Sequence, residues 1–114
     1  MREAQAALAR RGVPLASNQV HYSLLHRGPE VDGVLDACRE LDVTLLAYSP
    51  LEQGLLTGKY QRGQAFPEGS RFDTMSFFAG VANDDNFDKV EALTAFAEER
   101  GHTILELAVA WLAA

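Results

Sequence analysis

Cysteine occurs once in 114 residues, at Cys38, so no internal disulfide is available and a disulfide-built scaffold is excluded. A lone thiol suits a reducing compartment, and the expected location is cytoplasmic. No apolar run reaches the roughly 18 residues of a membrane span, and no charged-then-apolar leader opens the sequence. Basic residues are scarce: 10 Lys and Arg stand against 16 Asp and Glu, a net charge of −6. Phosphate backbones are bound by clustered Lys and Arg, so this balance argues against a general nucleic-acid binder. The 9 glycines follow no fixed period, which excludes a collagen-like chain, and there is no internal repeat or low-complexity tract. What is present, 47% hydrophobic and 23% charged residues, is enough for one modest core and too apolar for a disordered chain.

The charge is unevenly spread. Residues 1–60 hold 6 basic and 7 acidic groups, whereas residues 61–114 hold 4 and 9. Much of the surplus lies between Asp84 and Glu99 and reads as the solvated face of a helix. Met1 to Arg11 reads as a short helix with Ala4, Ala7 and Leu8 on one side, stopped by Gly12 and Pro14. Leu15 to Tyr22 reads as a strand with a polar centre, Ser17-Asn18-Gln19. Pro29 suits a first helical turn, and Val31, Val34, Leu35, Cys38 and Leu41 then form one apolar helical stripe. Val43 to Tyr48 is a continuous apolar run, the pattern of a parallel strand buried on both faces. Strand, helix and strand within about 30 residues make a βαβ unit and imply a parallel sheet.

Gln61 to Asn86 has no clear period and is rich in Gly, Asp, Ser and Phe; so long a stretch is usually a lid or a binding loop. Phe87 to Arg100 is helical by pattern, through Val90, Leu93, Phe96 and Ala97, with Gly101 as its stop. Thr103 and Glu106 form a capping box that opens a last helix, whose apolar face holds Ile104, Leu107, Ala108, Trp111 and Leu112. The expected organisation is a βαβ unit over 1–60, a variable loop over 61–86 and two helices over 87–114. Two strands are too few to close an α/β architecture, and neither end of the chain carries a helix cap. The chain is therefore expected to be part of a larger domain.

Familiar site patterns are mostly missing. Gly54-Leu55-Leu56-Thr57-Gly58-Lys59-Tyr60 falls short of a P-loop, because three residues rather than four separate its glycines and a tyrosine follows the lysine. There is no Gly-x-Gly-x-x-Gly, and His21, His26 and His102 lack zinc-site spacing with Cys38. No Ser-His-Asp or Cys-His arrangement supplies a nucleophile, so no catalytic or metal-binding residue is assigned. Two segments stand out. In Ser17 to Tyr22, Asn18 and Gln19 either satisfy neighbouring backbone groups or read an amide or hydroxyl in a site. In Ala47 to Leu55 an apolar strand breaks at Pro50 and releases Tyr48 and Ser49 at its C-terminal end, where ligands collect in parallel α/β folds. Backbone N–H groups from Leu51 to Gly54 are candidate phosphate donors that Gly54 keeps unobstructed.

The segments SNQVHYSLL, LLAYSPLEQGLLTGKY and LAVAWLAA, in this order and spacing, closely resemble the aldo-keto reductases, and the likeness runs from about Gly12 to Ala114. The resemblance implies a (β/α)8 TIM barrel binding NADP(H) at the C-terminal ends of its strands. This chain would be its C-terminal portion, carrying strands six and seven. By the same resemblance Gln19 matches the glutamine that hydrogen-bonds the nicotinamide carboxamide. Tyr48 matches the aromatic residue that stacks on the nicotinamide ring. Ser49, Leu51, Gln53 and Gly54 match the segment around the cofactor pyrophosphate, with Lys59 where a basic residue approaches it.

The catalytic Asp, Tyr, Lys and His of the family lie in the barrel's N-terminal half, outside this sequence. The implied activity is NADP(H)-dependent reduction of aldehydes or ketones, an oxidoreductase reaction on a small carbonyl substrate. The chain would supply cofactor-binding residues and need the remainder of the barrel, being inactive alone. The alternatives are an accessory protein like the potassium-channel β subunits, or an inactive truncated remnant.

Overall fold

Two short strands pair in parallel in the N-terminal half of the chain, as the βαβ reading expects. The computed structural model describes residues 1–75 and 80–114, and these divide into two compact units. The first unit comprises residues 1–22 and 26–48. In it, α1 (Arg2–Ala9) leads to β1 (Ser17–His21), and α2 (Gly28–Val31) and α3 (Val34–Leu41) carry the chain to β2 (Thr44–Tyr48). Ser17 lies opposite Thr44, Gln19 opposite Leu46 and His21 opposite Tyr48.

Three expectations for this unit change. The apolar stripe from Val31 to Leu41 is not one helix: Gly33 takes φ 87°, a left-handed conformation suited to glycine, and separates α2 from α3. Asp32 Oδ1 accepts the Val34 N–H at 3.0 Å across the break, and Val31 is left 88% exposed. Only Ala37 and Cys38 of α3 are buried. The second change concerns β2. Its residues alternate between half-buried and exposed, with Leu46 and Tyr48 about half exposed, so one face is uncovered. A continuous apolar run shows that two faces can be buried, not that both are. Third, α1 buries none of its residues. It is held by polar contacts, with Gln5 Oε1 accepting the Leu15 N–H and Arg2 forming a two-pronged pair with Glu40 at 2.9 and 2.7 Å.

The second unit comprises residues 23–25 and 49–114. It contains a 3-10 turn (Glu52–Thr57), α4 (Arg71–Thr74), α5 (Asp84–Glu98) and α6 (Ile104–Ala113). Leu55, Leu56, Tyr60, Phe72, Phe87, Val90, Ile104 and Ala108 form its core. The α5 helix begins earlier than the pattern suggests, because Asn83 accepts the Asn86 N–H and caps it while Asp84 and Asp85 oppose the dipole. Phe96, expected on the core stripe, is 47% exposed, with the Arg100 guanidinium 3.7 Å from its ring centre. The capping box on α6 is present: Glu106 N–H donates to Thr103 Oγ1, and Thr103 N–H donates to Glu106 Oε2.

The segment read as an irregular loop over 61–86 contains α4 and part of the core. Tyr60, Phe66 and Phe72 pack ring against ring at 4.5–5.8 Å. Arg62 anchors the segment to Asp84, Asp88 and Glu91 and so meets part of the acidic face of α5. Residues 76–79 of that loop lie outside the described residues. Among the described residues no helix is long and apolar enough to cross a membrane.

Candidate functional site

Gln19 and Tyr48 belong to the first unit. Side chains alternate along a strand, so Ser17, Gln19 and His21 share one sheet face with Thr44, Leu46 and Tyr48. This is the uncovered face, and both Gln19 and Tyr48 are exposed on it. The arrangement offers an amide and an aromatic ring on neighbouring strands, a pair that suits an aromatic amide. Tyr48 is not alone there. Its ring is stacked on His21 with centroids 5.4 Å apart and planes 15° apart, and His21 is stacked on His26 at 4.0 Å and 9°.

Ser49, Leu51, Gln53, Gly54 and Lys59 belong to the second unit. Here the chain turns sharply through left-handed backbone at Ser49 (φ 50°), Glu52 (φ 49°), Gln53 (φ 55°) and Gly54 (φ 100°). Such a conformation costs about 1–3 kcal/mol at a non-glycine residue and persists only where the surroundings enforce it. One enforcing contact is buried. Glu52 is 3% exposed, and its carboxylate accepts a 2.5 Å hydrogen bond from Ser23 Oγ, which in turn accepts the Leu25 N–H. Gln53 Nε2 donates to Ser49 Oγ at 2.9 Å, and Thr57 Oγ1 donates to the Gly54 carbonyl.

Two of the candidate backbone donors between Leu51 and Gly54 are engaged within the turn. The Glu52 N–H donates to the Ser49 carbonyl, and the Gly54 and Leu56 N–H groups donate to the Leu51 carbonyl. Gly54 takes φ 100°, a conformation suited to glycine, and a Cβ there would stand 2.6 Å from Lys59 Cε, so the tip of the lysine would have to shift. Lys59 and Arg71 then line one concavity of about 360 Å³ with Ser49, Leu51, Gln53 and Gly54. No carboxylate lines it, since Glu52 is turned into the core. In a chain of net charge −6, this is a local site of positive charge suited to an anion.

The sequence reading missed three participants. Arg71 stands twelve residues beyond Lys59 in a segment without periodicity, and only folding brings it to the concavity. Glu52 looks like a surface acid in the sequence, and Ser23 carries no motif. The His21–Tyr48 contact was open to inference, because two rings paired across a parallel register share a face.

A profile of the Aldo/keto reductase family matches residues 1–114. The chain belongs to that family. The family generally uses a nicotinamide cofactor. Within the family, the chain is 33% identical over 105 residues to the L-glyceraldehyde 3-phosphate reductase of Escherichia coli O157:H7, with 88% of this chain and 30% of that protein covered. It is 34% identical over 110 residues to the Schizosaccharomyces pombe aldo-keto reductase yakc, whose name carries NADP(+), covering 89% and 30%. The solved glycerol dehydrogenase of Gluconobacter oxydans superposes with a TM-score of 0.69 at 30% identity, over 96% of this chain and 33% of that one. The chain thus spans about a third of the length of these proteins, and its α/β arrangement follows the fold of the solved dehydrogenase.

Proposed function

We propose that this chain is the C-terminal, cofactor-holding portion of a (β/α)8 barrel that reduces small aldehydes or ketones with NADP(H) in the cytoplasm. The observation that carries the reading is the acid-free concavity with Lys59 and Arg71 beside the left-handed turn of Ser49 to Gly54. When bound, the cofactor supplies the hydride chemistry, and the protein's task is to hold and orient it. In the second unit Lys59 and Arg71 neutralise phosphate charge, while Ser49, Leu51, Gln53 and Gly54 shape the turn against it. In the first unit the Gln19 amide holds the nicotinamide carboxamide, and the Tyr48 ring offers a flat apolar surface to the nicotinamide. No catalytic acid or base is assigned to this chain, so proton transfer to the carbonyl oxygen belongs to the remainder of the barrel.

Fluorescence titration with NADPH tests this in the complete polypeptide that carries the chain. Lys59→Ala and Arg71→Ala should each weaken binding about tenfold, the size of one lost charged hydrogen bond, and flatten its salt dependence. Unchanged affinity in both variants would remove the concavity from the site. NADPH oxidation with a reactive aromatic aldehyde tests the activity. A polypeptide that binds NADPH tightly without turnover would favour the accessory-subunit reading.

A further inference from the structure

Among the described residues two buried side-chain polar atoms have no hydrogen-bond partner, Tyr60 Oη and Ser70 Oγ. Each belongs to the sequence neighbour of a cation in the anion site, Tyr60 beside Lys59 and Ser70 beside Arg71. Tyr60 is the deeper of the two, 4% exposed, with its ring held against Phe66 and Phe72. A phenylalanine would make those ring contacts equally well. The hydroxyl is the part that packing does not explain, since burying it without a partner costs free energy.

The hydroxyl end of the ring abuts one wall of the concavity. A Cβ on Gly54 would stand 3.3 Å from Tyr60 Cε2, an atom one bond from the carbon that carries the hydroxyl. Lys59 Nζ stands 5.1 Å from the centre of the same ring. Gly54 and Lys59 both line the concavity. Lys59 is the movable part of this wall, because it is exposed and its ammonium rides on a flexible stem. Tyr60 also borders a groove of about 460 Å³ against α5 and α6, but Glu91 and Glu98 line that groove, and its Arg62 is already paired with Glu91. An anion is better received on the Lys59 side.

We propose that Tyr60 is a further residue of the anion site: as Lys59 turns toward a bound phosphate it uncovers the Tyr60 hydroxyl, which donates a hydrogen bond to a phosphate oxygen. The proposal rests on the concavity being the phosphate site named above. A hydroxyl that donates to an anionic oxygen makes a short, strong bond, and this one gives up no protein partner to do so. The hydroxyl is thus a burden to the empty protein and an asset to the loaded one.

Tyr60→Phe separates the two effects, because it removes the hydroxyl alone and keeps the ring. In the complete polypeptide without ligand, this variant should melt at or above the wild-type temperature, since the group removed had no partner. Fluorescence titration should show it binding NADPH about tenfold more weakly, with an unchanged slope against salt because a hydroxyl carries no charge. Lys59→Ala is the control, and should both lose affinity and flatten that slope. A lower melting temperature for ligand-free Tyr60→Phe would show that the hydroxyl has a partner in the protein, and would overturn the proposal. Wild-type NADPH affinity in Tyr60→Phe alongside weak binding by Lys59→Ala would also overturn it, while leaving the anion site in place. Wild-type affinity in Lys59→Ala and Arg71→Ala would remove the concavity from the site, and Tyr60 with it.

Discussion

Leu55 and Leu46 are both leucines in short elements of one chain, yet Leu55 is wholly buried and Leu46 is nearly half exposed. The contrast extends to the units that hold them. The second unit closes eight buried residues into one core, drawn from the 3-10 turn, the 60–72 segment, α5 and α6. In the first unit Ala37, Cys38 and Val43, on or beside α3, and Pro29 in α2 are buried, while one face of its sheet is open to solvent. One chain thus holds both a closed core and a half-covered sheet. What differs is whether each apolar face finds a partner within the chain.

Truncating the two leucines breaks this comparison most directly. Leu55→Ala should cost about 2–5 kcal/mol because it empties a packed site. Leu46→Ala should stay within about 0.5 kcal/mol, as expected for a residue half in water. Denaturant melts followed by circular dichroism measure both, and equal losses would mean that Leu46 is covered in solution. Hydrogen exchange sharpens the same contrast: amides of α5 and α6 should outlast those of β1 and β2, and slower exchange in the strands would reverse the ranking.

The buried polar latch comes next in size. Ser23→Ala leaves the Glu52 carboxylate buried without that donor, and should lower stability by about 1–3 kcal/mol. A melting temperature equal to wild type would show that the turn holds without it. The α6 cap is smaller: Thr103→Ala should cost about 1 kcal/mol. The least effect belongs to Glu106, whose carboxyl is held below its usual 4.5 by the Thr103 N–H and then by His102. A lowered folded-state value means that this contribution is present above the ordinary carboxylate range and lost as pH falls through it. Acid melts of wild type and Glu106→Gln should therefore converge below pH 4.5 and differ slightly at neutrality.

Much of this fold is legible in the sequence where a period exists. The strands at Ser17–His21 and Thr44–Tyr48, the α5 pattern and the Thr103 capping box all follow from local spacing. Sidedness is not legible in the same way. In the run Val43 to Tyr48 the hydroxyl-bearing Thr44 and Tyr48 fall on the face left open, but Leu46 stands between them, so the pattern marks the two faces only weakly. Phe96 also fits the α5 period, and its neighbour Arg100 allows it to lie outside. In the candidate site, Tyr48, Ser49 and Gly54 stand out through the broken strand and the glycine. Arg71 and Glu52 do not, because their roles depend on contacts made across irregular backbone.

The left-handed run at Ser49, Glu52 and Gln53 also bears on how the protein can change over generations. Glycine at Gln53 would relax the backbone strain there, and would also remove the amide that Ser49 Oγ accepts from. Selection for stability alone would therefore drift toward glycine in this turn and erode the wall of the anion site. Directed evolution for heat resistance, screened without ligand, should collect substitutions here; screened with ligand, it should leave these positions unchanged.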